Sequence, residues 1–181
     1  MTGVSQIHVQ PELVDLYQDI KAATNHDILT IRHNLSYDYF QEDKDAFDKH
    51  LLSFRAATLA AGHSFSMAYD IYVSCRDLIV KNLPCSDRTL LLNAAGVQLV
   101  LLPPEIGFLI NLIELNLRLN HLLALPMDIQ KLVHLEKLIL VDNKIQSLPG
   151  CLFQLPQLKV ILSDQDEENE KALERLRQGN L

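Results

Sequence analysis

The 181-residue chain is 48% apolar with a formal charge of -7, which suits one domain or one and a half, makes a buried core attainable, and argues against a nucleic-acid binder with its basic stripe. An acidic surface disfavours anionic membranes, and no apolar run approaches the roughly 20 residues needed to span a bilayer, so a soluble protein is expected. Three cysteines, Cys75, Cys85 and Cys151, make no disulfide framework and fit a reducing, cytoplasmic compartment; the N-terminus lacks the pattern of a cleavable secretory signal.

The first helix is predicted over 11–21, where Leu13, Leu16, Tyr17 and Ile20 share one face, Pro11 fits the first turn and Asn25 marks a stop. A weaker pattern follows in Ile28, Ile31 and Leu35. Tyr37, Tyr39 and Phe40 then fall in a connection expected to be exposed, as aromatic anchors for a partner or as packing against the first repeat. A third helix is predicted over 43–61, with Phe47, Leu51, Phe54 and Thr58 on one side and Gly62 as its C-terminal cap. A fourth begins after Ser64, buries Phe65, Ala68, Tyr72, Cys75 and Ile79, and stops before Pro84. Four helices with short connections can pack antiparallel.

Near residue 88 the composition changes: all five tyrosines precede it, and leucine dominates after it. Leu112, Leu115, Leu117, Asn120, Leu122, Leu125, Pro126, Ile129 and Leu132 recur 23 residues later as Leu135, Leu138, Leu140, Asn143, Ile145, Leu148, Pro149, Leu152 and Leu155. A looser copy lies 23 residues earlier, from Thr89 to Leu109, with Val97 in place of the asparagine. A fourth starts at Leu158 and Ile161 and then breaks off. Alternation turns Leu115 and Leu117 inward from a short strand, and successive strands would stack about 4.8 Å apart in a parallel sheet. Asn120 and Asn143 recur where the chain leaves the strand, where an amide can bond free backbone groups. Pro126 and Pro149 stiffen the return path, and Ile129 and Leu132 close the core behind it.

This pattern resembles the 23-residue subclass of leucine-rich repeats, found in Ras-suppressor-type proteins and in small effectors of intracellular bacterial pathogens. The resemblance covers about two-fifths of the chain and implies an α/β fold. The expected architecture is a helical region over 1–88, about 3.5 repeats forming a solenoid over 89–162, and a capping helix over 163–181. The sheet would line the concave face. Repeat arrays need covered ends, and residues 166–177 carry acids at the front and bases at the rear, matching a helix dipole.

In such a repeat the non-leucine strand positions face outward. These are Leu91, Asn93 and Ala95; then Glu114, Asn116 and Arg118; then Lys137, Ile139 and Val141 with Asp142; then Val160, Leu162 and Asp164. Ile139, Val141 and Leu162 form an apolar strip with Glu114, Arg118, Lys137 and Asp142 at its margins, the pattern of a protein-binding surface. The expected function is therefore a non-enzymatic module, a monomer when alone and without cofactor or metal. Its partner would be a host protein or another bacterial protein, held in one case by covering an enzyme's active site. Export into a host cell by a signal not readable here stays open.

No phosphate loop, dinucleotide fingerprint, zincin motif or Cys-x-x-Cys pair occurs. His26, Asp27 and His33 are the only hint of a metal cluster, and Cys75 and Cys151 read as packing residues. Cys85-Ser86-Asp87 resembles the C-x-D signature of bacterial ubiquitin ligases that carry leucine-rich repeats. There a large catalytic domain follows the repeats; here the tripeptide precedes them. The alternatives are thus a small transferase using Cys85 and Asp87, or a ligase adaptor acting through the helical region.

Overall fold

The structure, a computed structural model, describes residues 11–40, 43–83 and 91–164. Four helices come first: α1 (Pro11–Thr24), α2 (Ile28–Asn34), α3 (Lys44–Ala61) and α4 (Phe65–Asn82). α1 runs three residues past its expected end and stops at Asn25, which takes a left-handed φ of 59° and donates its N–H to the Lys21 carbonyl at 2.9 Å. The other three helices begin at side-chain caps. Asp27 accepts from the Thr30 N–H at 2.8 Å, Asp43 from Ala46 at 3.0 Å, and Ser64 from Met67 at 3.2 Å. Each cap satisfies an N–H the helix cannot pair and is worth about 1 kcal/mol. Gly62 closes α3 at φ 72°, a conformation that favours glycine.

After the helices come four three-residue strands: β1 (Leu91–Asn93), β2 (Glu114–Asn116), β3 (Lys137–Ile139) and β4 (Val160–Leu162). They form a parallel sheet in chain order, with Leu92, Leu115, Leu138 and Ile161 aligned in one buried row. The fold is thus mixed α and β around a four-stranded parallel sheet. Between strands the chain returns through 3-10 helices at Pro104–Phe108, Met127–Lys131 and Gly150–Gln154, each introduced by a proline: Pro103, Pro126 or Pro149. Proline there fixes φ and needs no hydrogen-bond acceptor.

The recurring asparagines knit successive units together. Asn120 is 3% exposed; its amide donates to the carbonyls of Ala94 (2.8 Å) and Leu117 (2.9 Å), and its oxygen accepts from the Leu99 N–H at 2.9 Å. Asn143 repeats the arrangement one unit on, donating to Leu117 and Leu140 and accepting from Leu122. The residue before each asparagine, Leu119 or Asp142, is left-handed, as is Gly96 before Val97. Val97 itself is exposed.

Two hydrophobic clusters form, and each borrows from the other. The repeat cluster includes Cys75 and Ile79 of α4, while the helical cluster includes Val100 and is flanked by Leu101 and Leu123. Tyr37–Phe40 is a half-buried 3-10 turn rather than an exposed connection. Tyr37 stacks edge-on against Phe47, Phe40 sits against Phe47 and His50, and Tyr39 lies against Phe108 in the first return segment. Among the described residues no helix is long and apolar enough to cross a membrane. The expected capping helix over 166–177 lies outside the described residues, as do Thr89, Cys85 and Asp87.

Replacing Asn120 by alanine strands the Ala94 carbonyl and the Leu99 N–H, while the Leu117 carbonyl keeps its bond from Asn143. Asn120→Ala is expected to lower unfolding free energy in urea by about 2–4 kcal/mol. The more exposed Asn143→Ala should cost less; equal effects would show that burial does not set the difference.

Candidate functional site

Alternation along each strand sends the residues flanking the buried row to the outer face of the sheet. Register then fixes neighbours across strands: Leu91, Glu114, Lys137 and Val160 form one row, and Asn93, Asn116, Ile139 and Leu162 the next. The charged members pair between adjacent strands. Lys137 Nζ lies 3.2 Å from Glu114 Oε1, and Arg118 Nε lies 3.3 Å from Asp142 Oδ2. Both pairs are partly exposed, so their contribution is to hold side chains in place more than to stability.

Side chains on this face also bind its backbone. Asn93 and Asn116 each accept from the N–H two residues on, and the Asp164 carboxylate accepts from the N–H groups of Asp142 and Asn143. Ile139 and Val141 are half-buried rather than open, and Leu162 is 38% exposed beside Ile139. The eight residues singled out in the sequence (Glu114, Asn116, Arg118, Lys137, Ile139, Val141, Asp142 and Leu162) therefore come together on β2, β3 and β4 and the turns that follow them.

A second constellation, absent from the sequence reading, joins the helices to the repeats. Glu105, 4% exposed, receives Arg76 Nε at 2.9 Å and the Ser36 hydroxyl at 2.8 Å. Ser36 and Tyr72 share a hydrogen bond of 2.7 Å, and His50 Nε2 lies 2.8 Å from the Tyr72 hydroxyl. A hydroxyl has one proton to give. Because Ser36 donates to Glu105, Tyr72 donates to Ser36, and His50 donates from Nε2. The result is a one-way chain of donors ending on a carboxylate. Burial pushes the Tyr72 hydroxyl well above its ordinary range and the Cys75 thiol up to about 12, with Glu105 adding to both. Ser36 is fully buried, so this serine–tyrosine–histidine set offers no hydroxyl to a substrate.

One repeat further on, Asp128 occupies the position of Glu105 and accepts from the Tyr39 hydroxyl and from Lys131 Nζ at 2.7 Å. An acid two residues after the repeat proline in two successive units was the available signal for both contacts. Sequence spacing does not say what lies opposite.

His63 and His121 meet edge to face, with ring centroids 4.9 Å apart, but His26 and His33 take separate partners. His26 stacks on Tyr69, while His33 pairs with Asp38 at 2.5 Å. Among the described residues no group of three or more histidines, cysteines or acids is placed to hold a metal. No protein-family model matches the chain, and no curated protein matches it significantly.

Two tests follow from the junction. Glu105→Ala removes the buried partner of the largely buried Arg76 guanidinium, leaving it only the exposed Asp77 at 3.6 Å, and is expected to cost about 3 kcal/mol in chemical unfolding. His50 is held down to about 4 by burial, opposed by the charge of Asp128. Below pH 6.5 the unfolded chain takes up a proton that the folded chain refuses. The stability His50 contributes is therefore complete above pH 6.5 and lost as pH falls toward 4. Between pH 7 and 5 the His50→Gln chain should lose about 1–2 kcal/mol less than the native chain. Parallel curves would remove His50 from the pH response.

Proposed function

We propose that this chain is a non-enzymatic protein-binding module of the leucine-rich-repeat kind. In this reading the strand stack is a short solenoid, and its outer sheet face is the concave binding surface. The partner is a protein, and binding acts by rigid presentation or by covering the partner's own active site. The observation that carries the proposal is the distribution of charge on that face. Glu114 with Lys137, and Arg118 with Asp142, neutralise each other laterally. Ile139, Val141 and Leu162 lie between them without a polar group of their own to satisfy. A partner then gains apolar contact without having to strip water from an unpaired charge. The asparagine ladder and the return helices keep the face fixed, which reduces the entropy lost on docking.

A standard interface needs about 800 Å² from each partner. Four strands of three residues make a small platform, so loops at its rim or the helical region would add to it.

The test is affinity capture with purified native chain beside an Ile139→Arg/Val141→Arg variant shown by circular dichroism to keep its fold. A partner held by the native chain should bind the variant at least tenfold more weakly. Equal binding by both would exclude the concave strip as the contact. Cys85→Ser serves as the control for thioester chemistry: a binding module keeps its partner, whereas a transferase using Cys85 and Asp87 loses activity.

A further inference from the structure

A groove of about 440 Å³ opens between α4 and β1, away from the strip on β3 and β4. Its apolar walls are Ile71, Cys75 and Leu78 from the helix and Ala94 and Val97 from the first repeat, and among the described residues Asp70 is its one carboxylate. Cys75 and Ala94 are buried floor, whereas Leu78 and Val97 are 38% and 42% exposed, so the groove is lined by apolar surface that water reaches. A volume of this size, mainly apolar with a few polar groups, is in the range of built recognition pockets.

The backbone beside it is also poised for a partner. β1 is the terminal strand in the order β1-β2-β3-β4, and among the described residues its only strand neighbour is β2. The Ala94 N–H is used toward β2, on the Asn116 carbonyl at 2.9 Å. Alternation in a parallel ladder turns the backbone groups of Leu91 and Asn93 away from β2. A sheet edge beside an apolar trough is the geometry that an extended chain satisfies, with main-chain hydrogen bonds to the edge and alternate side chains in the trough.

Charge selects the occupant further. Asp70 is exposed at the groove, and the chain as a whole carries a charge of -7. The neighbouring acid on α4, Asp77, already faces Arg76 at 3.6 Å. We infer that the groove between α4 and β1 takes an extended segment of a partner protein, with an aliphatic side chain seated among Ile71, Leu78 and Val97 and a lysine or arginine placed against Asp70. This site is separate from the strip on β3 and β4 and does not depend on it.

The probe is a phage-displayed library of random dodecapeptides, selected on the full chain. Enriched peptides are then synthesised and titrated by fluorescence anisotropy. The expected result is a shared aliphatic residue with a basic residue a few positions away. Binding should weaken at least tenfold in Val97→Arg and persist in Ile139→Arg/Val141→Arg, which also separates this site from the proposed concave one. Selection on Asp70→Lys should exchange the basic residue for an acidic one. Both substituted positions are exposed, and circular dichroism checks that the fold is kept. The inference is overturned if no sequence is enriched, or if enriched peptides bind Val97→Arg as well as the native chain. It is equally overturned if sedimentation shows a dimer that Val97→Arg dissolves, since the groove would then belong to a second copy.

Discussion

The donor chain that ends on Glu105 is the contact on which the arrangement of this molecule turns. A carboxylate buried to this degree is tolerated only when its charge and both oxygens are met. Arg76 from α4 meets one oxygen and Ser36, just beyond α2, meets the other, with Tyr72 and His50 donating in series behind Ser36. Three segments distant in sequence, α4, α3 and the turn after α2, are thereby tied to one side chain in the first return segment. Ser36 reaches it from a left-handed backbone conformation with φ of 69°, which a serine does not take without compensation. The hydrogen bonds of the junction supply it.

That junction also determines which surfaces remain available. Asp128 repeats the Glu105 position one unit along and is engaged by Tyr39, while Lys144 donates to the Ala60 carbonyl at the end of α3. Val100, Leu101 and Leu123, all beyond the strand turns, pack into or against the helical core. The helices therefore take up the return side and flank of the repeats. Among the described residues, the ion pairs around Ile139 join strand to strand and involve no helix. An acid at the same repeat position in two units serves intramolecular docking, and the strand positions of those units are left to do something else.

How much of this was readable beforehand follows from the range of each interaction. Helix positions, caps and inward faces depend on residues three or four apart, and Asp43, Gly62 and Ser64 mark their boundaries locally. The 23-residue period gave strand register as well, because residues at equal repeat positions must align once the strands stack. The Asn120 contacts were open to the same reasoning, since an amide at a fixed step meets the same carbonyl in the preceding unit. The Glu105 junction was not. Its partners lie 29 and 69 residues away in sequence, and no periodicity relates a helix residue to a repeat residue. The exposure expected of Tyr37–Phe40 fails for the same reason, while the other expectation, packing on the first repeat, holds for Tyr39 against Phe108. Its acids suggested solvent, but Phe47, Phe108 and Asp128 supply its surroundings from elsewhere.

The outer face of the sheet differs from the junction in one physical respect. At the junction, polar groups are buried and each must be satisfied internally, so substitutions there act on folding. On the face, the ion pairs lie at half-exposed positions where water screens them, and removing one leaves no stranded charge. The face can therefore change its charged residues at small cost to the fold, while its apolar residues, half-buried by their neighbours, are held in place by register. In the proposed binding module, fixed apolar positions with replaceable charges would separate affinity from selectivity: Ile139, Val141 and Leu162 would supply contact area, and the pairs around them would admit or reject partners by their signs.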